Sequence, residues 1–243
     1  MPLPRSAELA VWLNAALEGT VGPDDFAVAV RGEDPQHLVL GWPDAPTTFG
    51  LDELPAAARR LGTPRAFLAL PVPGDPLGLA GPPDFNATAV DLEEGVVIGG
   101  ETGSVGLLPV VDARTVVWTA QVARAPKVLD PFEEGRLLRQ VLLAATAELV
   151  RLDVASWQPE IPDLLLNLQH RPALALPPGT SAVAVEALER ADLCREIVAL
   201  ARIDDGGAIS SHEAAARTRC LTDLDVAARR TMAAFCSASL RAS

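Results

Sequence analysis

Apolar and polar positions along this chain fall into two rhythms, and the change from one to the other divides it. The first apolar stripe, Leu9, Trp12, Leu13, Ala16 and Leu17, recurs at three and four residues and predicts a helix starting at Ser6 as its N-cap. Phe26-Ala-Val-Ala-Val30 and His37-Leu-Val-Leu40 are short β-rich runs around Arg31-Gly-Glu-Asp-Pro-Gln36, which together read as a hairpin. Leu51 to Leu61 predicts a second helix, with Pro55 in its first turns and Gly62 at its end. Ala66-Phe-Leu-Ala-Leu-Pro-Val72 reads as a buried strand, and Asn86 to Glu94 as a short helix. Val96–Ile98, Val105–Val111 and Thr115–Val122 read as strands. In the last of these, Val116, Trp118, Ala120 and Val122 alternate with Thr119 and Gln121, the period of two of a sheet with one covered face.

At Asp130-Pro-Phe-Glu133 the rhythm turns helical for the rest of the chain. Aspartate, proline and glutamate at these offsets are a strong helix start. Leu138, Leu142, Ala145, Leu149 and Leu152 then form one stripe. A short helix near Ile161–Gln169 and two long alanine-rich helices, Ser181 to Ile203 and Ser211 to Leu240, follow. Both long helices are apolar over more than one stripe, which implies packing on two sides. The pattern predicts an α+β fold. A mostly antiparallel N-terminal sheet with flanking helices (1–126) is followed by a helical segment packed on it (127–243), as two regions or one continuous domain.

Composition narrows the function classes. With 243 residues and 49% apolar content the chain can bury a substantial core. Mean hydropathy is +0.22, yet no run approaches the ~20 apolar residues of a bilayer span. The opening Met1-Pro-Leu-Pro-Arg-Ser6 lacks the features of a secretory signal, so a cytoplasmic protein is expected. The formal charge is −12; residues 1–126 carry 16 acidic against 7 basic side chains, leaving 16 and 13 for the remainder. No Lys/Arg cluster occurs, which argues against nucleic acid and membranes as partners. Lys127 is the one lysine beside nineteen arginines, a coding bias more than a function. Cys194, Cys220 and Cys236 have no metal or redox spacing and read as small core residues.

Candidate chemistry is sparse. Gly99-Gly-Glu-Thr-Gly-Ser-Val-Gly106 lies between strands, so it fits neither a dinucleotide fingerprint nor a nucleophile elbow around Ser104, and reads as a strand connection. Arg202-Ile-Asp-Asp-Gly-Gly-Ala-Ile-Ser-Ser-His-Glu213 has the glycine and terminal glutamate of a calcium loop. However, Arg202 and Gly206 stand where ligands belong, so it reads as a helix end followed by the capping box Ser210/Glu213. His37, His170 and His212 lack zinc spacing, and nothing marks a serine that a histidine would activate. No metal or cofactor is expected. Trp42, Trp118 and Trp157 read as core or interface anchors.

The remaining candidate is the loop Pro73 to Asn86, within Leu70-Pro-Val-Pro-Gly-Asp75-Pro-Leu-Gly-Leu-Ala-Gly-Pro-Pro-Asp84-Phe-Asn86. Its prolines and glycines make it stiff and shaped. Asp75, Asp84 and Asn86 are its polar groups, suited to acid–base work or to a cationic or hydroxylated ligand. Each also suits an ordinary turn or cap role.

This run, with Asp204-Asp-Gly-Gly207 downstream, resembles a group of uncharacterised actinobacterial hypothetical proteins. The resemblance covers much of the chain, implies one architecture and a bacterial cytoplasm, and brings no residue roles. Two functions stay open. The preferred one is a non-catalytic interaction or regulatory protein, a homodimer through its apolar C-terminal helices. The alternative is a small-molecule binder or enzyme using the 73–86 loop.

Overall fold

The computed structural model describes residues 3–43, 47–112, 114–151, 173–203 and 211–240. Six strands form one sheet: β1 (Gln36–Leu40), β2 (Thr48–Gly50), β3 (Arg65–Ala69), β4 (Gly95–Gly100), β5 (Gly103–Asp112) and β6 (Thr115–Val122). Their order is β2-β1-β6-β5-β4-β3. Every pairing is antiparallel except β1 with β6. The helices are α1 (Arg5–Leu17), α2 (Pro23–Arg31), α3 (Leu54–Arg59), α4 (Pro83–Leu92), α5 (Pro131–Arg151), α6 (Ala182–Ile203) and α7 (Ser211–Cys236). The fold is α+β, with the C-terminal helices packed on the sheet.

One expected element changes type. Phe26–Val30 is not a strand but the middle of α2, so there is no hairpin with His37–Leu40. The helix is set by Pro23 in its first turn and by Asp24 and Asp25 beside the positive end of its dipole. Phe26 and Val30, one turn apart, then point inward together. Several boundaries also move. The second helix is a 3-10 turn, Leu51–Glu53, leading into the shorter α3. Strand β3 stops at Ala69, and α1 starts one residue before Ser6, which is inside its first turn. Instead of capping through its hydroxyl, Ser6 donates its backbone N–H to Glu94 Oε2 at 2.9 Å. Asp130 does cap α5: its Oδ1 accepts from the N–H groups of Phe132 and Glu133. Ser181 caps α6 through its Oγ.

Alternation along the strands gives the sheet two unequal faces. On one, Ala66, Leu68, Val96, Ile98, Val105, Leu107, Val116 and Trp118 join Leu9 and Leu13 of α1, Leu188 and Cys194 of α6, and Met232 and Phe235 of α7 in one buried cluster. On the other, α4 presents Phe85 and Ala89 to Phe67, Val97 and Leu108. Phe85 reaches the sheet because position 106 is glycine; a Cβ there would lie 2.2 Å from its ring. This covers only the β3–β5 half of that face. Leu38, Leu40, Val110 and Val117 in the rest are half-buried or exposed.

The two apolar stripes of α7 are both used within the chain. The helix packs on α5, α6, α1 and β3, and Thr231 to Cys236 are all buried. Trp42 and Trp118 are core residues; Trp157 lies outside the described residues. Among the described residues, no helix is long and apolar enough to cross a membrane.

The free edge of β3 is sealed by side chains. Residues 65, 67 and 69 of an edge strand bond to its neighbour, so the polar groups of 66, 68 and 70 turn outward. Asn14 takes both groups of Ala66: its Oδ1 accepts from the N–H and its Nδ2 donates to the carbonyl, each at 2.9 Å. Ser237 Oγ accepts from Leu68 N–H at 2.9 Å, and Arg229 Nη1 donates to Leu70 O at 2.8 Å. Side chains from both ends of the sequence thus replace a missing strand.

Candidate functional site

The strongest site grows out of the end of β3. Val72-Pro-Gly-Asp75 is a tight turn with proline second, Gly74 third at φ +87°, and reciprocal bonds between the N–H and C=O of Val72 and Asp75. A second turn follows at once, Leu79 N–H donating to Pro76 O across Gly78 at φ +81°. Gly78 lies so close to β3 that a Cβ would sit 2.6 Å from Ala69 Cα. Farther on, Asn86 Oδ1 accepts from Gly81 N–H at 3.0 Å, and Gly81 O accepts from Arg124 N–H. The loop is therefore fixed at both ends.

The three polar residues expected to share a site separate into different environments. Asn86 is committed to the local turn. Asp84 is exposed in the first turn of α4, where its carbonyl accepts from Thr88 Oγ1. Asp75 alone faces a cavity. That cleft, about 250 Å³, is lined by Phe67, Leu68, Leu77 and Leu79 on one side and by Pro126 to Leu129 on another. Arg230 and Ala233 of α7 and Ser237 just after it complete the lining.

The charges around the cleft are layered. Beneath Asp75, the Arg229 guanidinium is buried, with each nitrogen on a different partner. Nη2 lies 2.9 Å from Asp75 Oδ2, Nε donates to Asp225 Oδ2 at 3.0 Å, and Nη1 serves Leu70 O. The Arg229–Asp75 contact is ionic without an aligned hydrogen bond, so Asp75 Oδ2 is buried yet accepts none. Beside it, Arg230 forks onto the buried carboxylate of Glu134, Nε to Oε2 at 2.9 Å and Nη2 to Oε1. Hydrogen bonding to Glu134 holds the Arg230 pKa above its ordinary value, and the Asp75 charge adds to this. Lys127 stands exposed at the mouth. Ser237 is no nucleophile here: its Oγ donates to Ala233 O at 2.6 Å and accepts from Leu68 N–H.

A second polar cluster, missed in the sequence, lies where α1 meets β1. His37 is buried; its Nε2 is 3.1 Å from Asp34 Oδ2, and its Nδ1 accepts from Trp118 Nε1 at 3.3 Å. Arg5 Nε also donates to Asp34. Both ring nitrogens are occupied, so the pair activates no serine. Burial lowers the His37 pKa and raises that of nearby Glu8 to about 7, with the Asp34 and Glu94 charges adding to the rise and Arg5 opposing it. A carboxyl whose folded pKa is raised stabilises the fold below its unfolded value and loses that contribution as pH rises through the folded one. Glu8→Gln should therefore gain on the native protein as pH climbs from about 4.5 to about 7, by about 1 to 2 kcal/mol for a half-exposed group. Urea unfolding of both proteins across that range checks this; a constant difference would contradict it. Taking the difference cancels His37, which titrates in the opposite sense in this window.

Cys194 and Cys236 are buried and Cys220 half-buried, all unbridged. Burial pushes the Cys194 thiol to about 11 and that of Cys236 to about 12, so neither supplies a thiolate. Among the described residues no group of three potential ligands gathers for a metal. Residues 204–210 and His170 lie outside the described residues.

Fold and site define an α+β protein with a mixed six-stranded sheet and one cleft where that sheet meets the last helix. The chain belongs to the Rv1486c-like proteins: the N-terminal domain of that family matches residues 6–131 and its C-terminal domain residues 133–233. It is 38% identical over 125 residues to "Uncharacterized protein Rv1486c" of Mycobacterium tuberculosis H37Rv. It is equally similar to "Uncharacterized protein MT1533" of strain CDC 1551. Each of these matches spans 43% of this chain and 43% of the relative. No solved structure matches. The resemblance to an uncharacterised actinobacterial group holds.

Proposed function

We propose that this is a non-catalytic ligand-binding protein whose site is the cleft at Asp75. The observation that carries the reading is the cavity itself: a rigid loop, held by two turns, walls off apolar surface beside a half-buried carboxylate. Concave, mostly apolar sites with a few convergent polar groups are the usual form of small-molecule pockets. At about 250 Å³ it suits a ligand of roughly ten heavy atoms rather than a large cofactor. Ser237 and His37 are engaged in structural bonds, and Cys194 and Cys236 are buried as neutral thiols, so none of these four is poised for chemistry.

The alternative of a homodimer through the C-terminal helices has less behind it. The apolar excess of α7 that suggested it is absorbed by α5, α6, α1 and β3. Phe132 and Leu143 on α5 remain exposed, but isolated apolar side chains on a surface are ordinary.

A fragment screen by thermal shift, repeated on Val128→Trp and Leu79→Trp, tests the cleft. Both substitutions put bulk into the cavity from its mouth and wall. Hits on the native protein that vanish in both variants are expected. A silent screen, or hits that both variants retain, would remove the reading.

A further inference from the structure

The cleft's polar groups have the arrangement of a zwitterion's complement, and we infer that its ligand is a free α-amino acid with an apolar side chain. This rests on the cleft being a ligand site. Three observations lead there.

First, Asp75 has acceptor capacity to spare. Its Oδ2 is buried against the Arg229 guanidinium without an aligned hydrogen bond, yet the side chain keeps 35% of its surface exposed, so the accessible acceptor is Oδ1. A carboxylate offers about four acceptor sites, so a donor from the ligand is the natural completion. An ammonium is the strongest such donor.

Second, cationic donors stand beside that acceptor. Lys127 lines the same cleft with no ion pair among the described residues, and Arg230 keeps 39% of its side chain exposed while holding Glu134. The Asp75 charge is close enough to Arg230 to act on it. An anion alone would meet Asp75, and a cation alone would meet Lys127 and Arg230. A ligand carrying both charges on neighbouring atoms satisfies both, and an α-amino acid does so across a single carbon.

Third, most of the other lining side chains are apolar, among them Phe67, Leu68, Leu77, Leu79 and Val128. The cleft's size matches one hydrophobic side chain. The ammonium then lies toward Asp75, the carboxylate toward Lys127 and Arg230, and the side chain against Phe67 and Leu79.

The test is titration calorimetry of the full chain with L-leucine, L-methionine and L-phenylalanine at up to about 10 mM, where even a weak small-ligand site registers. Three leucine analogues isolate the charges: isocaproate lacks the ammonium, isoamylamine the carboxylate, and isohexanol both. Loss of either charge should weaken binding at least about tenfold, the scale of a hydrogen bond to a charged group. In Lys127→Gln, a surface change, the gap between leucine and isoamylamine should narrow. If an analogue binds as tightly as leucine, or the analogues bind and the amino acids do not, the ligand class is overturned while the cleft remains a site. If no amino acid binds, the class is again overturned; the cleft reading falls with it only when the fragment screen is silent as well.

Discussion

Replacing Asn14 by leucine is expected to cost this protein about 3 to 6 kcal/mol, the largest effect of any single substitution considered. Asn14 is 6% exposed, and its amide serves three backbone groups: the N–H and C=O of Ala66 and, at 3.0 Å, the carbonyl of Cys236. Leucine has the same four-atom side chain branched at Cγ, so it fits the same outline with only a modest increase in bulk. It leaves three buried polar groups unpaired, each costing about 1 to 3 kcal/mol. For a chain of this length the melting temperature should fall by about 2 to 4 °C per kcal/mol. Urea unfolding with an unchanged m-value measures the loss directly. A cost under about 1 kcal/mol would mean that the β3 edge finds other partners and that the side-chain seal is incidental.

Removing the Arg229 charge should be nearly as damaging. Arg229→Met keeps much of the buried stem but strands Asp225, itself 15% exposed, and leaves Leu70 O without its donor. Breaking one side of a buried ion pair typically costs about 3 to 5 kcal/mol, because the remaining charge stays desolvated. Asp75 can turn toward the cleft and water, so Asp225 carries most of the penalty. The double variant Arg229→Met/Asp225→Asn should recover at least about 1 kcal/mol of it. Arg229→Lys should not rescue stability, since one ammonium cannot address three partners in three directions. If Arg229→Met unfolds within about 0.5 kcal/mol of the native protein, the ion-pair account fails.

Where local signals were strong, the sequence was readable. The cap at Asp130 and the alternation in Thr115–Val122 each specify their element with a few neighbouring residues. Phe26–Val30 shows the limit of periodicity. Five apolar residues in a row suit a strand or a helix equally, and the deciding residues were Gly22-Pro23-Asp24-Asp25 just before them. Ser6 shows another limit: the group that meets its N–H is Glu94, 88 positions away.

The site was half legible. The stiff Pro/Gly loop bearing Asp75 lines the candidate cleft. Asp84 and Asn86 sit in the helix-start and turn positions that their residue types also suit; what local sequence could not tell is that the cleft's remaining walls come from Lys127 to Leu129 and from Arg230 on the last helix. Arg229, Asn14 and Ser237 carried no motif at all. A lone arginine on an alanine-rich helix looks like surface, and only the approach of β3 shows why it is buried. The apolar pattern of the C-terminal helices implies packing on two sides, and for α7 a sheet edge and three helices of the same chain supply those contacts.

The seal on β3 has a consequence for how this molecule meets other copies of itself. A sheet grows by adding strands at its borders, and here the groups that meet one border are side chains rather than another strand. The opposite border, β2, is three residues long, too short to template much. The sheet is thus finite by construction. Because Asn14 closes one part of that border and Ser237 and Arg229 the rest, it closes fully only once the last helix is in place. Until the C-terminus docks, the nascent chain carries an open edge.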